Sequence, residues 1–348
     1  MAKVVFKKLK KVCLEEIYDC TVYIVDELGI DPVTIGKTCL VKINAISREL
    51  LPGRNTSPWV FEAVLKVLAN KFPGVTFTVA DSDGAGYAQF DDSMRNWGYG
   101  EIARQYGARI VNLAHDDYRR VEINDPRWPY IEIPVTVLES DSIVNVPVLK
   151  THVLTGITCC LKNHWGMLPR LRYQYHVRAS EIIAEMNRQI GKTVLNIVDA
   201  TICMEGSGPK TGKPKICSVL FGGRDRVAVD AAVVDFMGLP MNMARHILLS
   251  EELGVGTTRY EVAGDPFEKN AFEPPSLGGD VVALLERKLR AIPMLGEILY
   301  APSIARVLGL IGTKYNELFW YRKHGKRLRS ETIGNNEYLA EYKNLVTD

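Results

Sequence analysis

Residues 145–166 have the sequence NVPVLKTHVLTGITCCLKNHWG, in which two apolar stretches each end in basic and polar side chains. The first stretch ends in Lys150 and His152, and the second ends in Lys162 and Asn163. A strand that serves packing alone usually ends in turn residues such as Gly, Asn or Asp, whereas an anion needs donors held on rigid elements. We therefore predict that both ends form the floor of an anion pocket. The alternative is that both lysines are strand ends that face solvent.

Apolar strands alternate with amphipathic helices on both sides of this stretch. We predict strands at 38–43, 75–80, 108–113, 141–150, 194–199 and 216–223, and helices at 14–28, 59–71, 101–106 and 227–237. This alternation is typical of an α/β fold, with a mostly parallel sheet that has helices on both faces. The composition changes beyond Gly264, so we predict an α/β core domain over 1–264 and a helical C-terminal appendage over 265–348.

In sheets of this kind, ligands bind beyond the carboxyl ends of the strands. Polar residues follow several of the predicted strands at that edge: Asn44, Asp81, Asp83, Lys150, His152 and Asp199. We predict that these residues share one site. The alternative is that they show only the general tendency of such strands to end in polar residues.

The segment 199–214, DATICMEGSGPKTGKP, contains a glycine-rich turn between two acidic and two basic residues. The backbone N–H groups of Gly206 and Gly208 can form an anion-binding nest, although the turn lacks the GK[ST] ending of a P-loop. The alternative is a surface hairpin loop that uses glycine for positive φ. Asp199 and Glu205 nearby could act as acid and base, or hold a hard cation such as magnesium.

The composition excludes several classes of protein. Hydrophobic residues make up 47% of the chain and charged residues 24%, which argues against a disordered chain. A net charge of +2 gives no overall attraction to nucleic acid. Seven cysteines show no CxxC spacing, so we expect no zinc or iron-sulfur site, and we expect Cys159 and Cys160 to be buried on opposite faces of a strand.

The first residues, MAKVVFKKLKKV, lack the apolar core of a signal peptide, and no window of 18 apolar residues is present. We therefore expect a cytoplasmic protein that associates at most peripherally with a membrane.

Five ordered motifs carry a resemblance to a known family: VKIN at 41–44, TSPWVFEAVL at 56–65, NVPVLKTH with LKNHWGML within 145–168, VDATICMEGSGPKTGKP at 198–214 and RDRVAVDAAVVDFMGLP at 224–240. Together they resemble the domain-of-unknown-function family 362. Many relatives in that family carry a ferredoxin-like cysteine module for iron-sulfur clusters, and its cysteine spacing is absent here. In fold alone, the family also resembles the nickel-pincer lactate racemases.

Carried onto this sequence, the family pattern marks Lys42, Asn44, Lys150, His152, Lys162, Asn163, Gly166, Asp199, Glu205, Gly206, Gly208, Pro209, Asp225 and Asp230. From this set we predict four catalytic residues, namely His152, Lys150, Lys162 and Glu205. We predict that the substrate anion is bound by Lys42, Asn44, Asn163, Gly206 and Gly208. His152, whose ordinary pKa is near 6.5, is the expected proton shuttle. A divalent metal held by Asp199 and Glu205, with or without His152, is the alternative use of the carboxylates.

These residues predict an enzyme that binds an anionic small molecule and transfers a proton next to a carboxylate or phosphate, as an isomerase or lyase does. The alternative is a non-catalytic metal- or cofactor-binding module that serves a redox or biosynthetic partner. The oligomeric state is left open by the sequence.

The C-terminal segment 315–330, YNELFWYRKHGKRLRS, places four apolar and aromatic side chains beside basic ones. This combination suits a membrane surface or an acidic partner, and nucleic acid is the least favoured ligand given the near-neutral chain. The alternative is a helix whose aromatic residues pack on the core while its basic residues stay solvated.

Overall fold

A ten-stranded sheet forms the centre of the protein. The computed structural model describes residues 1–84, 89–169, 172–276, 298–299 and 301–334. The strands of the sheet are β1 (Ala2–Lys8), β2 (Thr38–Ile43), β3 (Thr76–Asp81), β4 (Arg109–Asn112), β7 (Ser142–Val146), β8 (Val148–His152), β9 (Gly156–Thr158), β10 (Thr193–Glu205), β11 (Lys213–Gly223) and β12 (Tyr260–Gly264). They follow the order β12-β1-β11-β10-β7-β2-β3-β4, and β8 and β9 branch from β10. A separate antiparallel pair joins β5 (Tyr118–Glu122) to β6 (Tyr130–Pro134).

Helices cover both faces of the sheet. They are α1 (Leu14–Glu27), α2 (Pro32–Ile35), α3 (Pro58–Lys71), α4 (Phe90–Asn96), α5 (Tyr99–Gln105), α6 (Val135–Glu139), α7 (Cys160–Asn163), α8 (Ala179–Gln189), α9 (Arg226–Met237), α10 (Arg245–Glu252), α11 (Pro302–Tyr315) and α12 (Lys326–Gly334), with a π-helical segment, Asn316–Gly325, between the last two. One hydrophobic core lies between the sheet and α1, α3 and α5, and a second lies under α8 and α9. The predicted α/β fold with a mostly parallel sheet is confirmed.

Antiparallel pairing is confined to two parts of the large sheet. Strand β11 pairs antiparallel with β10 and β1, and β8 pairs antiparallel with β9, whereas all other pairings are parallel. Strands β10 and β11 form a long hairpin through the glycine turn, because Gly206 adopts a φ of +73°. The glycine turn is therefore a hairpin loop, which was one of the two alternatives.

The predicted strand at 141–150 is interrupted at Pro147. Proline has no N–H group to donate to a neighbouring strand, and β7 ends one residue before it. The Pro147 carbonyl instead accepts a hydrogen bond from the Asp199 backbone at 2.8 Å. Strand β8 then starts at Val148 and carries Lys150 toward the carboxyl edge of the sheet.

The second apolar stretch does not end as a strand, and the prediction that it does is wrong. Strand β9 ends at Thr158, and Lys162 lies on the short helix α7. The carboxylate of Asp230 accepts hydrogen bonds from the backbone N–H groups of Cys160 (2.7 Å) and Leu161 (3.0 Å), which caps the helix. Both adjacent cysteines are buried as predicted, but their sulfur atoms are 3.9 Å apart rather than on opposite faces.

The chain after β12 runs along the core before the C-terminal helices. Asp265 forms an ion pair with Lys7 at 2.8 Å, and Phe272 packs in the second core. The C-terminal helices then contact the loop between β2 and α3, where Tyr321 packs against Leu51. Of the predicted appendage, the structure describes residues 265–276, 298–299 and 301–334. Its other residues lie outside the described part of the chain.

Candidate functional site

A small cavity of about 80 Å³ opens at the carboxyl edge of the parallel strands. Its walls come from β2, β3, β8, α7 and the segment after α7: Lys42, Asn44, Ile46, Asp81, Lys150, His152, Thr158, Lys162, Asn163, Trp165, Gly166, Arg172 and Pro209. Sites for larger organic ligands usually measure about 300–1,000 Å³. The cavity therefore suits a group of a few non-hydrogen atoms. It brings together six of the residues that were predicted to be catalytic or to bind the substrate, namely Lys42, Asn44, Lys150, His152, Lys162 and Asn163.

Lys42 and Asp81 form a buried ion pair at the base of this cavity. Nζ of Lys42 lies 2.9 Å from Oδ1 of Asp81 and also donates to the carbonyl of Ile43 at 2.6 Å. Gly166 packs directly against the pair, and a Cβ atom there would come within 2.4 Å of the Asp81 oxygen. Burial lowers the pKa of Lys42, and the Asp81 charge opposes that effect. The negative charge of Asp81 is thus largely compensated by Lys42.

Lys150 is completely buried and is held by two oxygen atoms. Its Nζ donates to Oδ1 of Asn44 at 2.7 Å and to the carbonyl of Arg54. Burial lowers the pKa of Lys150 well below its ordinary value, although the Asp81 charge acts in the opposite direction. Lys150 therefore takes up a positive charge less readily than an ordinary lysine does.

A continuous chain of buried asparagine side chains extends from Lys150 across the sheet. Nδ2 of Asn44 donates to Asn163 (2.9 Å), Asn163 donates to Asn145 (2.8 Å), and Asn145 donates to Asn196 (3.0 Å). The last amide donates to the carbonyl of Gly223 at 3.0 Å. In each asparagine the side-chain oxygen accepts a hydrogen bond from the preceding member and the nitrogen donates to the next. The orientation of every member therefore depends on its neighbours. This chain fixes Asn44 and Asn163 at the cavity wall.

Lys162 has a different environment from the other two lysines. It is only 8% exposed, and its Nζ lies 4.5 Å from the ring centre of Trp165. Within the described ranges, its ammonium group makes no hydrogen bond and no salt bridge. Burial, together with the charge of Arg172, lowers the pKa of Lys162 to about 7. The carboxylate of Asp230 stabilises the short helix that carries this lysine, because it accepts hydrogen bonds from the first backbone N–H groups of α7.

His152 lies at the cavity beside both lysines. Its Nδ1 accepts a hydrogen bond from the backbone of Leu154 at 3.1 Å, so the neutral ring carries its proton on Nε2. Burial, followed by the charges of Lys162 and His176, lowers the pKa of His152 well below 6.5. A proton shuttle at neutral pH needs a pKa near the ordinary value of 6.5, and the pKa of His152 lies well below that value. In this environment His152 is a neutral hydrogen-bond donor.

Arg172 is a cavity residue that sequence reasoning did not select. It donates to Ser82 Oγ at 3.0 Å and to the Asp83 carbonyl at 2.7 Å, which holds the guanidinium in place. Trp165, which lies in the same loop between α7 and α8, was also missed. The cluster of arginine and aromatic residues in that loop was the available signal, but it has no periodicity that assigns a position.

Glu205, Gly206 and Gly208 are not among the described residues of the cavity wall. The Glu205 carboxylate pairs with Lys215 at 3.0 Å and accepts a hydrogen bond from the backbone of Glu273. The N–H of Gly206 donates to the Glu273 carbonyl, and that of Gly208 donates to the Gly206 carbonyl. The structure therefore does not bring Glu205 to the lysines, and both glycine amides already have acceptors. The turn instead contributes Pro209 to the cavity wall.

Asp199 supports the fold at some distance from Glu205. Its Oδ2 accepts from the backbone of Ser57 at 2.6 Å, before the first turn of α3, and its Oδ1 accepts from the Thr201 hydroxyl at 2.6 Å. Glu205 is six residues further along β10, roughly 20 Å for an extended strand. The structure does not place the two carboxylates around one metal ion.

Among the described residues, one group of three side chains is close enough to share a metal ion, namely Cys159, Cys160 and Asp230. Burial raises the pKa of Cys159 to about 12 and that of Cys160 well above its ordinary value. A metal ion bound here would have to displace the protons of both thiols.

Comparison with known families identifies the chain. Residues 39–235 match the model of the domain of unknown function DUF362, which covers more than half of the sequence. The chain belongs to this family. The matched part contains every member of the cavity wall, from Lys42 to Pro209.

A thylakoid-associated protein from Synechocystis sp. is 26% identical to this DUF362 protein over 237 residues, which are 65% of this chain and 71% of that protein. Two solved structures show a weaker likeness. The lactate racemase apoprotein from Thermoanaerobacterium thermosaccharolyticum gives a TM-score of 0.44 at 13% identity, covering 68% of this chain and 57% of that one. A structural genomics target from Thermotoga maritima gives 0.42 at 12%, covering 71% and 60%. The matched part is thus less than two thirds of either solved chain, and neither likeness carries an argument.

Proposed function

We propose that this protein binds the carboxylate or phosphate of a small molecule in the cavity and transfers a proton to or from that molecule. The observation that carries the proposal is the position of Lys162, a buried ammonium group that has no acidic partner among the described residues. A buried charge is costly unless it is paired. An anionic ligand would supply the missing partner.

The balance of charge in the cavity supports the same proposal. Three lysines and Arg172 line it, and Asp81 is the acidic residue among the described lining residues. Asp81 is already paired with Lys42. A bound anion would restore the lost solvation of Lys162, and it would raise the pKa of Lys162 in doing so.

The proton-transfer part of the proposal rests on lysines whose pKa values are lowered. A proton donor or acceptor works best when its pKa is close to the working pH, and Lys162 has a pKa of about 7. Lys150, whose pKa is also lowered by burial, lines the same cavity and is the candidate for the group that accepts a proton from a bound ligand. Such groups at one small site fit an isomerase or a lyase better than a binding module alone.

Isothermal titration calorimetry tests anion binding directly. Acetate, lactate, pyruvate and inorganic phosphate are titrated into the wild type and Lys162→Met. Lys66→Met is the matched control, because Lys66 lies 4.6 Å from the ring of Tyr18 away from the cavity. We expect at least one anion to bind, with a loss of affinity of tenfold or more in Lys162→Met only. Equal affinities in the two variants, or no binding by the wild type, would contradict the proposal.

A second candidate function is association with an anionic membrane surface through the C-terminal helices. The apolar side chains of Val307 and Ile311 on α11, and of Phe319 after it, are 56%, 54% and 63% exposed. The segment 302–334 also contains seven Lys and Arg residues against two Glu, and Glu317 is already paired with Arg48 at 2.6 Å. Exposed apolar groups beside cations are typical of surface-bound helices.

The Synechocystis relative is named as thylakoid-associated, which supports this candidate. No helix in the described ranges is long and apolar enough to cross a membrane. The part of the appendage closest to the core is buried instead, since Tyr321 packs on Leu51 and Arg54 lies over the Trp320 ring. The candidate therefore concerns binding to a membrane surface.

Sedimentation with lipid vesicles distinguishes this candidate from docking on the core alone. The double variant Ile311→Ser/Phe319→Ser is compared with Val33→Ser, which replaces a 91% exposed side chain on α2. We expect the wild type and Val33→Ser to sediment with anionic vesicles, and the double variant to lose most of this binding. Equal sedimentation of all three proteins, or no preference for anionic over zwitterionic vesicles, would remove the candidate.

A further inference from the structure

Lys162 has the features of an amine nucleophile. A lysine with an ordinary pKa of 10.5 is uncharged to less than about 0.1% at neutral pH, whereas a pKa of about 7 leaves roughly half of Lys162 as the free amine. Its Nζ faces the Trp165 ring and makes no hydrogen bond to any described residue. Lysines that form imines with carbonyl substrates are activated in this way, by desolvation and by a neighbouring cation.

The other two lysines of the cavity are less suited to this role. Nζ of Lys42 is held by the carboxylate of Asp81 at 2.9 Å and by the carbonyl of Ile43 at 2.6 Å. Nζ of Lys150 donates to both Asn44 and Arg54, and attack on a carbon atom would disrupt this arrangement. The structure thus separates one reactive amine from two amines that are held by the protein.

The geometry points to a further activity: Lys162 forms an imine with the carbonyl carbon of a small 2-oxo acid whose carboxylate is bound by Arg172. This inference rests on the function proposed above, because the carboxylate occupies the same anion cavity. Arg172 and Lys162 line the same cavity, whose volume of about 80 Å³ accommodates the carboxylate and carbonyl groups of a small acid.

The chemical step is balanced without any further reactant. The Nζ lone pair attacks the carbonyl carbon, the C=O double bond is replaced by C=N, and the oxygen leaves as water with the two amine protons. Uptake of one proton from solvent then gives the protonated imine. The protonated imine withdraws electrons and makes the neighbouring C–H bond acidic. The amine of Lys150, which lines the same cavity, accepts this proton, and the product is an enamine.

Reductive trapping tests the inference. The full-length protein is incubated with pyruvate or glyoxylate and sodium cyanoborohydride, and the adduct is located by intact and peptide mass spectrometry. Lys162→Arg keeps the positive charge but cannot form an imine, and Lys66→Arg is the surface control. We expect one adduct, on Lys162, in the wild type and Lys66→Arg, and none at this position in Lys162→Arg.

Proton exchange gives a second readout. In D2O, we expect the wild type to exchange the methyl protons of pyruvate at least tenfold faster than Lys162→Arg, as followed by proton NMR. Labelling of Lys150, or labelling spread evenly over surface lysines, would overturn the inference. Binding of pyruvate by calorimetry without any adduct would overturn it while leaving the proposed anion site intact. Absence of both binding and adduct would overturn both.

Discussion

Nζ of Lys42 lies 2.9 Å from Oδ1 of Asp81, and both side chains are almost completely buried. Removing one partner of such a pair leaves an uncompensated charge, which costs about 3–5 kcal/mol. We therefore predict that Lys42→Met lowers the free energy of unfolding by about that amount. The double variant Lys42→Met/Asp81→Asn should recover a large part of the loss, because no unpaired charge remains. Urea unfolding of the wild type, the two single variants Lys42→Met and Asp81→Asn, and the double variant measures this coupling, and additive effects would contradict it.

Replacement of Lys162 by Met should stabilise the protein at neutral pH. A buried charge without a partner opposes folding, and substitution by an apolar side chain of similar length should gain on the order of 1–4 kcal/mol. The unfolded lysine keeps its proton up to about pH 10.5, whereas the folded one loses it near pH 7. Between these values the unfolded state binds more protons, so Lys162 makes wild-type stability rise with pH.

Urea unfolding at several pH values between 6 and 10.5 checks this effect. The stability difference between Lys162→Met and the wild type should be largest near the lower end of this range and shrink toward the upper end. A constant difference would mean that the ammonium group is not desolvated.

The carboxylate of Asp230 should be needed for anion binding although it does not line the cavity. Asp230→Ala removes the acceptor for two backbone N–H groups of α7, at about 1–3 kcal/mol for each. Asp225→Ala is a matched control, because Asp225 caps α9 by accepting from Val227 at 2.8 Å and Ala228 at 3.1 Å. Both variants should be less stable, but only Asp230→Ala should weaken anion binding in calorimetry. Equal affinities would show that α7 does not depend on this cap.

The asparagine chain should be sensitive to a change at its middle. Asn145→Leu has a similar size but removes the hydrogen bonds that Asn145 makes with the amides of Asn163 and Asn196, at a cost of roughly 2–5 kcal/mol. Asn70→Leu, at an exposed position on α3, should change stability by less than about 0.5 kcal/mol. Thermal unfolding of both variants is the measurement. A small effect at Asn145 would mean that the chain is not a connected network.

The carboxyl edge of the parallel strands could be predicted from sequence alone. Asn44 follows β2 and Lys150 lies near the end of β8. Strand ends in such a sheet lie side by side, so a common location could be expected from sequence, and both residues line the cavity. Lys162 was also expected there, but on a strand, because the cap that turns 160–163 into a helix comes from Asp230, about 70 residues later. No local pattern reports such a contact.

Two other parts of the site required the structure. Glu205 was expected beside the lysines because it follows Asp199 closely in sequence, but both lie on one 13-residue strand that separates them. Arg172 was missed because the segment around it has no periodicity, and its position depends on Ser82 and the Asp83 carbonyl. Distances along a strand and contacts between loops both depend on tertiary structure.

The pKa of Lys162 is the most direct test of the account. NMR titration of protein labelled with carbon-13 at lysine Cε would resolve it, with the resonance assigned from its loss in Lys162→Arg. We predict a midpoint near pH 7 that moves to higher pH when acetate or phosphate is added. A midpoint near the ordinary value of 10.5, unchanged by either anion, would show that Lys162 is neither desolvated nor part of an anion site.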